Sequence, residues 1–336
     1  MKIKKSLSFC AVFAILLTTP VLAQTREVLI TGRGIGITLN SRGAIVSQTA
    51  EIDDSENNSA SPAKDGGIQN GDIIVMADGE EVNSVNDLQK ILQKSKGKDI
   101  FVKVNRGGAI LTLKLKPILS HDGEYRLGLW VKDSSAGIGT MTYYDPETND
   151  FGALGHGITD SASGALVEID GGEVLSSNIV SLEKGEKGKP GELNGILGED
   201  SEKIGTVSKN TPCGVFGKIN LPENEIDKAQ SIKVGRKEDV RLGKAYILAN
   251  IEDDKTEKFE IEISRIPAFT GDLTKGMEIK ITDKKLIEKT GGIVRGMSGS
   301  PIVQSGRLIG AVTHVFINDP TKGYGIFVED MLKETK

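Results

Sequence analysis

The chain has 336 residues, 38% of them apolar, which is enough to bury more than one compact core. Its net charge of −5 gives no reason to expect a nucleic acid as partner, and losing Lys2, Lys4 and Lys5 with a cleaved leader makes it more acidic still. Two cysteines (Cys10, Cys213) and three histidines (His121, His156, His314) allow no disulfide within a processed chain and no cluster with metal-ligand spacing, so neither metal nor cofactor is expected.

Residues 1–23 have a basic start, an apolar run over 9–17 and a Val21-Leu22-Ala23 end. This is the layout of a secretory signal peptide, with an uncleaved membrane anchor as the alternative. Either way the rest of the chain works outside the compartment that made it.

Residues 25–118 read as one small domain. Strands are expected over 28–30, 35–39 and 43–47. A helix is expected over 84–94, with Val85, Leu88, Ile91 and Leu92 on one face. Ser84 and Asp87 supply its N-terminal cap and Gly97 suits its C-terminus. A hairpin over 100–105 and 109–115 follows. A dinucleotide fingerprint is excluded, because position 37 is Ile where a third glycine is needed. The order Ser61-Pro62-Ala63, then GIQNGDII (67–74), then GEEV (79–82), then a helix resembles a PDZ domain of the kind attached to secreted bacterial serine peptidases. That resemblance implies a groove formed by Gly34, Ile35, Gly36, Ile37 and Leu88, where a peptide or a C-terminus adds as an extra strand. The bland alternative is that these glycines only turn the chain.

Residues 119–136 read as a connector and a strand holding the only tryptophan, Trp130; His121 lies in the connector as an exposed bystander. From Gly137 many short strands with turn punctuation suggest a barrel or sandwich. His156 lies between two glycines just after an apolar strand, which favours exposure to a cleft and a role as general base. The glycine-rich run 185–191 is expected to be a flexible loop, and Cys213 a packed thiol. Residues 282–289 read as a short helix. The tail 329–336 is polar and is expected to fray.

Residues 291–315 carry the sharpest signal. A buried strand at 293–294 leads into Gly296-Met297-Ser298-Gly299-Ser300-Pro301. Glycines at −2 and +1 let the backbone turn sharply around Ser298. They aim the N–H groups of Gly296 and Ser298 into one pocket, an oxyanion hole. A nucleophile at Ser300 would have Pro301, which lacks an N–H, at +1, so Ser298 is preferred. An orienting carboxylate is less legible: Asp283 has the surroundings of a helix N-cap, and Asp160 and Asp319 are rivals. His314 reads as a strand-end histidine, with a substrate-pocket role as the alternative.

The runs FGALGHGITD, TDKKLIEKTGGIVRGMSGSPIV and GAVTHVFINDPTKGYGIFVEDML resemble the stage IV sporulation protein B family of serine peptidases from endospore-forming bacteria. The order leader (1–23), PDZ domain (25–118), peptidase (119–336) matches as well. The resemblance implies a mainly β chain: a small α/β PDZ domain followed by a chymotrypsin-like double β-barrel. It implies a triad of His156 as base, Asp283 as orienter and Ser298 as nucleophile. It also implies a signalling cleavage, between the forespore and mother-cell membranes, of a membrane-bound regulator. That cut releases an intramembrane metalloprotease that processes a late sigma-factor precursor; self-cleavage is implied too. Two other classes compete: an inactive PDZ scaffold and a broad quality-control protease.

Overall fold

The computed structural model describes residues 26–54, 58–159, 164, 166–196, 202–221, 226, 229–253 and 255–335. The expected leader and Asp160 lie outside the described residues. The chain is mainly β, as its turn-punctuated sequence requires.

After β1 (Glu27–Ile30) comes one long strand, β2 (Gly34–Thr49). Its buried side chains alternate over 35–41 and then shift phase to Ala44, Ile45 and Val46. The cores they enter differ. Ile35, Ile37 and Leu39 pack with Met141, Phe151 and Val174, whereas Ala44 and Val46 pack with Ile74, Leu88 and Val102. Gly43 marks the crossing: its φ is +118°, and a Cβ there would lie 2.4 Å from the Ile74 carbonyl.

The second of these cores is the PDZ unit. β3 (Ile73–Ala77), helix α1 (Val85–Ser95), β4 (Ile100–Arg106) and β5 (Ala109–Leu115) build it on the far half of β2. Ser84 caps α1 by accepting the Asp87 N–H at 3.1 Å, as expected. The left-handed cap at the other end falls on Lys96, with Gly97 also at positive φ. Asp72, fully buried, takes a two-pronged ion pair from Arg106 at 2.7 Å on each oxygen.

The first core is a closed barrel. β6 (Leu129–Asp145), β7 (Asp150–Ala153), β8 (Ile169–Ser176), β9 (Lys203–Thr211) and β10 (Gly214–Ile219) join the near half of β2. They pair antiparallel in the ring β2–β6–β7–β10–β9–β8 and back to β2, so six strands close with no free edge.

A second six-stranded barrel follows β11 (Gln230–Val234). Its strands are β12 (Gly243–Glu252), β13 (Lys255–Arg265), β14 (Met277–Ile281), β15 (Pro301–Gln304), β16 (Arg307–Phe316) and β17 (Asp319–Phe327). They run antiparallel as β12–β13–β14–β17–β16–β15 and back to β12. Helix α2 (Lys284–Thr290) sits between β14 and β15, and β11 stitches the barrels by pairing with both β1 and β16.

Four sequence expectations change. The PDZ unit is not a tandem domain over 25–118: residues 34–41 belong to the first peptidase barrel, because Ile35, Ile37 and Leu39 bury there, and β1 packs Val28 and Ile30 against residues of both barrels. Both β2 and β6 run on from that barrel into the PDZ sheet, where Val46 pairs with Val131. The tail does not fray, since α3 (Val328–Leu332) buries Val328, Met331 and Leu332 on one face. Residues 293–294 are buried but lie in loop, and the final turn, which Asn318-Asp319-Pro320 leads one to expect over 318–320, falls on Ile317-Asn318, with Asp319 and Pro320 already in β17.

Candidate active site

His156 leaves the first barrel just after β7. Leu154 and Gly155 both take positive φ, 68° and 70°, which swings the chain out of the strand. The half-buried imidazole places Nδ1 2.9 Å from the Gly157 carbonyl oxygen. A carbonyl only accepts, so Nδ1 carries the proton and Nε2 keeps its lone pair, the form a general base needs. Burial holds the His156 pKa below the ordinary histidine value, which keeps that form populated at neutral pH.

Ser298 comes from the second barrel, in the loop between α2 and β15. Two threonines of β6 hold this loop against the first barrel. Thr140 donates its N–H to the Ser298 carbonyl at 2.9 Å and its Oγ1 to Gly296 O at 2.8 Å, while Thr142 donates to Gly299 O at 2.8 Å. Gly299 is needed twice over. Its φ is +94°, and a Cβ would lie 2.0 Å from Thr140 O. Within the loop, Met297 N–H bonds Val294 O and Ser300 N–H bonds Met297 O. Among the described residues no acceptor takes the N–H of Gly296 or of Ser298. These are the two donors expected to form the oxyanion hole. The Ser298 hydroxyl donates to Thr313 O at 2.8 Å.

His156, Ser298, Gly296 and Thr313 line one cleft of about 1140 Å³ between the barrels. Apolar side chains, Leu193, Ile293 and Ile317 among them, form much of its wall. His314 also lines it, with its ring centroid 4.7 Å from that of His156. The run 185–191, expected to be flexible, is a pinned strap along this wall. Gly185 N–H bonds Thr290 O, Gly188 N–H bonds Ile317 O, and Gly191 O accepts from Arg295 N–H.

The remaining site expectations divide. Ser300 is fully buried, with no hydrogen-bond partner for its hydroxyl among the described residues, so it does not compete with Ser298. Cys213 is buried and its thiol is pushed up to about 11, chiefly by desolvation, which makes it inert. Asp319 is occupied by Thr321 and Lys322 in the last hairpin. Asp283 is not brought to His156. It is the N-cap of α2: Oδ1 accepts from Leu286 N–H at 3.1 Å and Oδ2 from Glu260 N–H at 3.3 Å. It lines a separate cleft with Lys244, Tyr246 and Lys258, which shares no residue with that of His156. The capping reading of Thr282-Asp283 is therefore the one the geometry realises.

The expected PDZ groove is displaced too. Ile35, Gly36 and Ile37 pair on one side with β6 and on the other with β8, and Gly34 pairs with β6, so Ile35 to Ile37 leave no edge for a peptide. Leu88 sits in the PDZ core. Helix α1 instead faces the start of β6: Val85 N–H bonds Asp133, and Gln93 bonds both backbone groups of Tyr125. Sequence reasoning missed Thr140, Thr142 and the Thr313 carbonyl. Only the alternation Thr140-Met141-Thr142-Tyr143 hinted at a second, polar face with partners of its own.

Two closed six-stranded barrels, with a histidine from one and a glycine-bracketed serine from the other facing a shared cleft, define a chymotrypsin-like serine peptidase, here carrying a PDZ unit. The family profile described as SpoIVB peptidase S55 matches residues 123–332, and a PDZ profile matches 34–116. The chain belongs to the SpoIVB peptidase S55 family.

Other likenesses are partial. The Clostridium perfringens protein CPE1693, which carries the name of a zinc metalloprotease, is 33% identical over 69 residues, 20% of this chain and 21% of that protein. The chain thus spans about a fifth of the length of that relative. Among solved structures, the HtrA-type protease AlgW with a decapeptide aligns at 16% identity over 60% of this chain and 52% of that one, with a TM-score of 0.35. The Rv3671c protease of M. tuberculosis H37Rv in its inactive form aligns at 14% identity over 59% and 83%, with a TM-score of 0.33.

Proposed function

We propose that this chain is a regulatory serine endopeptidase of endospore formation, making a few defined cuts rather than degrading protein generally. Its substrate is a membrane-bound regulator, and the cut releases an intramembrane metalloprotease that processes a late sigma-factor precursor. It acts between the forespore and mother-cell membranes and cleaves itself during maturation. Family membership supports this reading, and one observation carries the chemistry: the N–H groups of Gly296 and Ser298, which no acceptor takes among the described residues, belong to residues that line the same cleft as His156.

In that chemistry the Ser298 hydroxyl turns from Thr313 O to His156 Nε2 and attacks the scissile carbonyl. His156 takes the proton, and the Gly296 and Ser298 N–H groups hold the oxyanion. The imidazolium then protonates the leaving amine, and water, deprotonated by His156, hydrolyses the acyl-enzyme. Thr313 O, released by the serine, is placed to accept an N–H from the substrate backbone.

The resting hydrogen bond of Ser298 to Thr313 favours regulation, because serine and histidine are engaged with backbone carbonyls rather than with each other. The PDZ unit shares β2 and β6 with the first barrel, and we assign it peptide or C-terminus recognition along the start of β6 beside α1. Digestion of casein beside a membrane-bound sporulation regulator tests the reading. Few discrete products from the regulator and slow casein loss are expected. Extensive casein digestion would favour the quality-control alternative, and no cleavage of either by folded protein would favour the PDZ scaffold.

A further inference from the structure

Attack by Ser298 fixes where the substrate residue before the scissile bond must lie. Its carbonyl oxygen meets the N–H groups of Gly296 and Ser298, and its own N–H meets Thr313 O. Its side chain then enters the cleft between the loop at 293–296 and residues 313–317, which line it together. We propose that this pocket admits a small aliphatic side chain, alanine or valine, and that Val315 and Ile293 set the limit. This rests on the reading of Ser298 as nucleophile.

Ile293 forms the floor. It is 2% exposed, belongs to the core of the second barrel and lines the cleft. A Cβ on Gly323 would lie 2.6 Å from Ile293 Cδ1. The isoleucine therefore already fills the space that Gly323, the partner of Val315 in β17, would leave open. Val315 forms a wall: half-buried, it packs against the same core and also lines the cleft. The strap adds Gly188 and Pro190 to the lining, fixed by the Gly188 N–H on Ile317 O. Valine and isoleucine are stiff at χ1, so neither swings aside readily. Close packing behind Ile293 gives it nowhere to move.

Among the described residues no charge stands at that floor. The ionisable side chains that line the cleft are His156, His314, Glu192 and Arg295. The His314 ring faces that of His156, and Glu192 and Arg295 are exposed to solvent. A lysine, arginine or aspartate side chain of the substrate would give up its hydration in the pocket without a buried counter-charge. A phenylalanine or leucine matches the apolar lining but needs room that Val315 and Ile293 occupy, and overfilling a close-packed site is unfavourable. Alanine and valine meet both conditions.

The test measures second-order inactivation of the full chain by peptidyl diphenyl phosphonates that differ only in the side chain beside phosphorus: alanine, valine, leucine, phenylalanine, lysine or aspartate. In each, the serine oxygen bonds to phosphorus, one phenoxide leaves and His156 takes the serine proton. The alanine and valine probes are expected to react at least about tenfold faster than leucine or phenylalanine, the scale on which a pocket discriminates small carbon groups. Lysine and aspartate should be slower than alanine by at least the same factor. Val315→Gly should raise the phenylalanine-to-alanine rate ratio by about tenfold or more. Ile293→Val, which removes one carbon from the floor, should raise leucine relative to alanine. Should Val315→Gly fail to fold, Val315→Ala should move the phenylalanine-to-alanine ratio in the same direction. A wild-type preference for leucine, phenylalanine or a charged side chain, or a ratio that neither Val315 variant moves, would overturn the proposal. A fluorophosphonate carries no such side chain, so its failure to label Ser298 would overturn the nucleophile assignment beneath it.

Discussion

Gly299 and Asp283 make opposite demands on the chain, and both can be tested by one atom's change. A Cβ on Gly299 meets Thr140 O at 2.0 Å with φ at +94°, so Gly299→Ala must unseat the nucleophile loop from β6. Loss of roughly 1–3 kcal/mol is expected, together with loss of labelling at Ser298; thermal melts and probe incorporation measure the two. Asp283 caps α2, so Asp283→Ala should cost about 1 kcal/mol in stability, while Asp283→Asn, which can also cap, should cost little. Both should keep turnover within a few-fold. A fall of about 10⁴ in kcat for Asp283→Asn would instead mean that the residue orients His156 in the working enzyme. The histidines add a pH signature. Both have pKa values below 6.5 in the folded chain, so the unfolded chain binds more protons on acidification. The stability held by their neutral forms is complete above pH 6.5 and is lost as pH falls, for His314 down to about 4. The melting temperature should drop over that window, and less steeply in His314→Ala. At this scale Ser298, Gly296 and His156 were legible because their glycine neighbours are written in sequence. The partners of Asp283 and His314 were not, since a carboxylate beside a helix start and a histidine at a strand end suit several environments equally.

β2 and β6 carry what the sequence concealed. Read locally, Gly34-Ile35-Gly36-Ile37 is a strand of a small domain, and its alternation is right. What alternation cannot reveal is which core receives the buried face, and here the receiving core changes at Gly43 without a break in the strand. The same continuity makes β6 a bar with one end beside α1 and the other in the seat of Ser298, through Thr140 and Thr142. Thr142→Val keeps the shape but removes the donor to Gly299 O. It should lower stability by about 1–3 kcal/mol, because a buried acceptor is left unpaired, and should slow labelling at Ser298 more than it alters the PDZ core. Hydrogen exchange would register the difference, with loss of protection confined to residues 296–300 expected, and spread through the PDZ unit contrary.

The described residues form two closed barrels with the PDZ unit inserted between consecutive strands of the first. A fragment of residues 119–336 therefore lacks β2 and opens the first barrel between β6 and β8. It should be poorly soluble and lack a cooperative melt. A chain in which residues 45–131 are replaced by a short turn keeps both rings closed and should fold; cooperative folding of 119–336 alone would contradict the insertion. The central claim is that Ser298 is an activated nucleophile, and the most direct measurement is fluorophosphonate labelling of the full chain with mass mapping of the labelled peptide. Label on Ser298, absent from Ser298→Ala and slowed by about 10³-fold or more in His156→Ala, is the predicted result. Label on Ser300, or none on folded wild-type protein, would contradict it.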